Sequence, residues 1–137
     1  MVARMILMRH GRTYSNARKY LDTRPPGAEL TEIGRQQAFD AGRHLRNVTS
    51  DIGLAVCSIA MRAQQSLNLA LLGYGAMPLD VPGVGKPNIP VEVISGIHEI
   101  FVGADYDDMN SPEAHRQYDI AFEGWQSGDL SAGLPGG

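Results

Sequence analysis

Short apolar runs alternate along this chain with longer stretches of helical periodicity. "ARMILMR" (3–9) is a continuous apolar run of the kind expected in a strand covered on both faces, with Met5 and Met8 in its core. It leads straight into Arg9, His10 and Gly11, and then into Thr13, Ser15 and Asn16, residue types that start helices. After the loop "LDTRPPGAEL" (21–30), Thr31 predicts an N-cap. The helix behind it runs to about Val48, with Ile33, Ala38, Ala41, Leu45 and Val48 at helical spacing. "IGLAVCS" (52–58) predicts a second buried strand, followed by a helix with Ile59, Ala63, Leu67 and Leu71 on one stripe.

"MPLDVPGVGKPNIP" (77–90) is punctuated by proline and glycine and reads as loop, and "VEVIS" (91–95) reads as a third strand. "SPEAHRQYDIAFEGW" (111–125) opens with Ser111 as N-cap and Pro112 at the first helical position, and its helix stops near Gly128. Strand, helix, strand, helix, strand, helix predicts an α/β layer fold with a largely parallel sheet. Such folds gather their sites at the carboxyl ends of the strands, here "RHG", "CS" with the following Arg62, and "SGIHE". Arg9, His10, Ser58, Arg62 and Glu99 are therefore expected on one rim.

Length and charge narrow the setting. At 137 residues the chain is one domain or part of one, and its 43% hydrophobic content fits a packed core. The net charge of -3 argues against general nucleic-acid binding. The single Cys57 excludes an intrachain disulfide framework and suits a reducing compartment. No apolar run approaches the roughly 18 residues of a membrane span, and the N-terminal apolar stretch is too short for a signal peptide. The expectation is a soluble cytoplasmic protein with no membrane partner.

Two arginines on one rim invite a phosphate or carboxylate, which guanidinium groups bind with paired hydrogen bonds. Gly11 removes a side chain where the chain turns, and the amides of the following helix start are expected to face the same anion. Like charge from the arginines should lower the pKa of His10 and keep it neutral near pH 7. A neutral imidazole beside a bound phosphate is a nucleophile. Glu99 could protonate a leaving alcohol once burial raises its pKa. Clamp, nucleophile and acid together describe phosphoryl transfer that requires no metal.

These residues resemble the histidine phosphatase superfamily, also called phosphoglycerate-mutase-like. "LMRHGRTYSN" matches its opening signature, and "LTEIGRQQA" is similar to its Leu-Thr-x-x-Gly-x-x-Gln-Ala helix start. "CSIAMRAQQSL" is similar to its Ser-x-x-x-Arg-Ala-x-Gln segment. "GIHEIFVG" sits where the family carries its acid glutamate, and the closing "GDLSAGLPGG" resembles its Pro-Gly-Gly. The resemblance implies a three-layer α/β/α sandwich over residues 1–137 and transient phosphorylation of His10. It also implies phosphate binding by Arg9 and Arg62 with help from Asn16 and Thr13, proton donation by Glu99, hydrolysis that needs no cofactor, and a small phosphorylated substrate. The leading expectation is a phosphomonoesterase. The alternatives are a mutase moving phosphate within a phosphorylated sugar acid, or an inactive phosphate-binding module.

Three departures from the family pattern stand out. The second histidine, in a later strand beyond Pro-Gly-Gly, has no counterpart before Gly137, and His115, ahead of "PGG" and mid-helix, cannot replace it. The domain is therefore expected to be incomplete at its C-terminus, with a sheet edge uncovered, weak or no turnover and a tendency to self-associate. Ile59 replaces the usual proline after Ser58. The segment after Glu99 lacks the Arg-His-Tyr-Gly of the bisphosphoglycerate-dependent mutases and also the glutamate shortly after Gly103 that many phosphatases show, so the mutase reading falls and the phosphatase substrate stays open.

Other residues have two readings each. Arg24 could select an anionic substrate or be a solvated loop arginine, and His98 could bind substrate or be an ordinary surface histidine. Ser58 could touch phosphate, although capping the next helix is the stronger expectation. Asp105, Asp107 and Asp108 read as a solvated acidic turn before a cation site. Cys57 reads as inert core. Tyr118, Phe122 and Trp125 form a packing face that could also serve a homo-oligomer contact.

Overall fold

The computed structural model describes residues 2–76, 89–99, 109–129 and 131–133. Helix α1 is Tyr14–Arg18, α2 Glu32–Val48, α3 Met61–Tyr74 and α4 Pro112–Gln126; strands β1, Ala55–Ser58, and β2, Val91–Ile94, with a 3-10 turn at Ser95–Ile97, complete the elements among the described residues. The strands pair in parallel, Ala55 opposite Val91 and Ser58 opposite Ile94, so the chain has the expected α/β class and parallel pairing. Among the described residues, no helix is long and apolar enough to cross a membrane. Asp105, Asp107 and Asp108 lie outside the described residues.

Local chemistry explains the helix ends. Thr13 and Asn16 form a reciprocal capping box on α1, Thr31 Oγ1 accepts from the Gly34 amide at the start of α2, and Ser111 Oγ accepts from the Ala114 amide at the start of α4. Helix α3 has Ala60 as its N-cap and no side-chain cap. Ser58, expected to cap it, instead accepts from the Ala60 amide at 3.3 Å. The expected stripe on this helix began at Ile59, but the helix starts at Met61, so Ile59 lies outside it.

Helices α2 and α3 pack backbone to backbone. A Cβ on Gly42 would overlap the Ala70 carbonyl, and one on Gly73 would overlap that of Phe39. The buried face of α2 accordingly runs through Gly34, Ala38 and Gly42, and turns Ile33 and Val48 to solvent. On α3 the buried row is Arg62, Ser66, Ala70, Leu71 and Tyr74. One core cluster joins Leu71, Tyr74, Ala76 and Ile89, with Leu45, Leu67 and Val91 against it. A second gathers Leu21, Ala114 and Ala121 under Tyr118 and Trp125. Tyr118 stacks on Phe122 at 6.3 Å between ring centroids, and Phe122 stays exposed. Cys57 is buried, and burial pushes its thiol pKa up, as suits a core cysteine.

The first run departs from expectation. Residues 2–9 carry no strand pairing among the described residues, and Met5 and Leu7 are 81% and 86% exposed. An apolar run supplies the side chains of a buried strand, but burial also needs a neighbouring strand, and here none is paired to it.

Candidate active site

The chain leaves the apolar run at Arg9-His10-Gly11 and lies flat on the start of α2. A Cβ on Gly11 would overlap the Gly34 carbonyl, so this close approach requires glycine. The turn is fully tied down. The Gly11 amide donates to Ser66 Oγ at 3.0 Å, the Arg12 amide to Gln37 Oε1 at 3.0 Å, and the Thr13 amide to Asn16 Oδ1 at 3.1 Å. Tyr14 donates to the Glu29 carbonyl and Asn16 to Thr13 Oγ1. Of the helix-start amides expected to face an anion, those of Tyr14 and Asn16 are instead spent on fixing the turn.

His10 is half-buried, and its Nδ1 lies 2.7 Å from the Gly11 carbonyl. A carbonyl only accepts, so Nδ1 carries the proton and the lone pair of the neutral ring is on Nε2. Its pKa is lowered chiefly by burial, with smaller contributions in the same direction from Arg62 and Arg9; the Gly11 hydrogen bond and Glu99 oppose them. The direction matches the expectation, but burial leads where like charge was thought to.

A cleft of about 180 Å³ is lined by Arg9, His10, Thr13, Asn16, Arg62 and Glu99, together with residues 20–23 and Tyr118. Six of the expected site residues thus meet in one place. Glu99 is exposed, so the described residues do not bury it as expected. Ser58, Arg24 and His98 are not among the residues lining the cleft; His98 Nδ1 instead lies 2.7 Å from the Glu99 carbonyl. A wider cavity of about 720 Å³ adjoins it, sharing Arg9, His10, Asn16 and Tyr20 and adding Arg12, Lys19 and His115. His115 hydrogen-bonds the Lys19 carbonyl at 2.8 Å.

Several contributors were not foreseen. Ser66, 2% exposed, sits one turn beyond Arg62 on the same face of α3, a spacing that was there to be read. Asp22 pairs with Arg62 at 3.6 Å, with both side chains largely buried. The Pro26 carbonyl accepts from the Met61 amide at 2.8 Å, supplying the cap that α3 lacks.

The family model of the histidine phosphatase superfamily (branch 1) matches residues 5–137. The chain belongs to that superfamily. Among curated relatives, a 2,3-bisphosphoglycerate-dependent phosphoglycerate mutase from Nitrobacter hamburgensis is 31% identical over 114 residues, which are 83% of this chain and 49% of the mutase. The Nitrobacter winogradskyi mutase of the same name is 33% identical over the same span. Histidine phosphatase chains of known structure share the fold. The α-ribazole phosphatase from Shigella flexneri has a TM-score of 0.61 at 23% identity, over 93% of this chain and 55% of that one. A mycobacterial glucosyl-3-phosphoglycerate phosphatase has a TM-score of 0.62 at 21% identity, over 85% and 48%. The chain spans about half the length of the curated relatives it matches. The superfamily relatives named here are phosphatases or mutases.

Proposed function

We propose that this chain supplies the phosphate-handling residues of a phosphomonoester hydrolase working through a phosphohistidine at His10. The observation that carries this reading is the half-buried neutral imidazole of His10, with Nδ1 committed to Gly11, in a cleft shared with Arg9, Arg62 and Glu99. Arg9 and Arg62 would hold the phosphate oxygens as bidentate donors. The Nε2 lone pair then forms a bond to phosphorus while the ester P–O bond breaks, and the leaving oxygen takes its proton from Glu99. Water next attacks phosphorus and the P–N bond breaks, its electrons returning to Nε2. The water proton passes to the Glu99 carboxylate, which restores the site. Asn16 and Thr13 support the phosphate while they cap α1.

The test is hydrolysis of p-nitrophenyl phosphate by the 137-residue chain without added metal, beside His10→Ala. Turnover, or an acid-labile phosphoenzyme, that disappears with His10 supports the reading. Turnover that survives His10→Ala refutes it. The curated relatives favour one second reading, a mutase. It predicts exchange between phosphoglycerate isomers that depends on a bisphosphate.

A further inference from the structure

Arg62 is 8% exposed, and what surrounds it was not chosen for phosphate alone. The loop 22–28 folds around its guanidinium. Asp22 Oδ2 lies 3.6 Å from Arg62 Nη1 and accepts the Ala28 amide at 2.9 Å, so one carboxylate closes the loop and holds the arginine. A Cβ on Gly27, at φ +72°, would lie 2.8 Å from Asp22 Oδ1 and 2.9 Å from Arg62 Nη1, which leaves no room for a side chain there. The same loop docks on the residue before Arg62 through the Pro26 carbonyl and the Met61 amide. Nη1 faces Asp22, and the remaining N–H groups of the fork stay available to an anion.

The charges lining the cleft balance. Arg9 and Arg62 are offset by Asp22 and Glu99, with His10 neutral near pH 7. A single phosphate can share the two arginines. A second phosphate joined directly to the first and held within this cleft adds negative charge near Asp22, and among the described residues the cleft is lined by no cation beyond Arg9 and Arg62; Arg12 and Lys19 line only the wider cavity beside it. We infer that Asp22 is the positioning residue of Arg62 and that its carboxylate selects an isolated phosphate monoester over a diphosphate. The inference rests on the phosphate reading above and makes it narrower.

The test uses the full chain, titrated calorimetrically with inorganic phosphate and with pyrophosphate, as wild type and as Asp22→Asn. Asparagine keeps the shape and an oxygen for the Ala28 amide but removes the charge. With an extra ligand charge some 6 Å away in a half-solvated cleft, Asp22→Asn should tighten pyrophosphate relative to phosphate by about tenfold. An unchanged ratio overturns the selectivity. The Arg62 Nε–H signal in 15N-resolved NMR reads positioning directly. It should shift and exchange faster with water in Asp22→Asn, and an unmoved signal overturns the positioning role. If the wild-type chain binds neither anion, the phosphate reading falls and the selectivity with it, while the Arg62 signal still decides whether Asp22 holds the guanidinium.

Discussion

Replacing Gly11 with alanine should damage stability and chemistry together, because one backbone contact serves both. An added Cβ would lie 2.7 Å from the Gly34 carbonyl carbon and 2.9 Å from its Cα, and would overlap the carbonyl oxygen. Ordinary contact begins near 3.4 Å, and clearing the overlapped carbonyl oxygen requires the turn to lift from α2 by about 1 Å or more. Neither side is a flexible side chain that can swing away. Overpacking of this kind costs about 1–3 kcal/mol, offset by about 0.4–1 kcal/mol from the stiffer unfolded chain. A net loss of about 1–2 kcal/mol should appear as a lower urea midpoint followed by far-UV circular dichroism. The lift also moves the Gly11 carbonyl that orients His10 and the amide held by Ser66. A displacement approaching 1 Å at a nucleophile costs on the order of 10²-fold in rate, read with p-nitrophenyl phosphate. Gly53→Ala is the control, since its Cβ would meet nothing within 4 Å. A Gly11→Ala chain as stable as wild type and as active would refute the claim that this contact sets the site.

Other outcomes follow from the same geometry. Ser66→Ala leaves the Gly11 amide buried without its acceptor and should lower stability by about 1–3 kcal/mol; an unchanged urea midpoint would show that the amide finds another partner. The depressed pKa of His10 gives a definite pH response. Above pH 6.5 the ring is neutral in both the native and unfolded chains and adds no slope. As pH falls below 6.5 the unfolded chain takes up its proton first, so stability is lost until the lowered native pKa is passed. His10→Asn should remove that part of the slope in pH-dependent melts, and the acid limb of kcat/KM should lie below 6.5 for the same reason.

What could be read from the residues was local. Ser111 with Pro112, and Thr31 ahead of an apolar stripe, mark helix starts because capping acts within one turn, and both helices begin where expected. "AVCS" and "VEVI" pair as strands, and Val56, Val91, Val93 and Ile94 supply the β-branched side chains that suit a pleated surface. The order of the motifs placed Arg9, His10, Arg62 and Glu99 on one cleft without any distance being known. Misreadings came from contacts between distant residues. The fate of "MILM" depends on a neighbouring strand that no local pattern specifies. Ser58 has the chemistry of a cap, but the cap of α3 is the backbone of a loop that precedes α2. Nothing near Asp22 in the sequence announces its pairing with Arg62. Ala38 and Leu45 of the expected α2 stripe do face the core, but Gly34 and Gly42 let backbones approach and Ile33 and Val48 turn to solvent, so hydrophobicity alone misplaced the two ends of the stripe.

The Pro26 carbonyl on the first amide of α3 also bears on the order in which the molecule assembles. Helices α2 and α3 can associate through their glycine faces without help from that loop, since their contacts lie within one compact stretch of chain. The surroundings of Arg62 are complete only when the loop has docked from outside this helical pair. The helical pair and the loop around Arg62 are thus expected to be separable cooperative units, the loop opening and re-forming while the helices stay folded. In native-state hydrogen exchange, the Met61 amide should follow the opening of the pocket and exchange ahead of amides in the middle of α3.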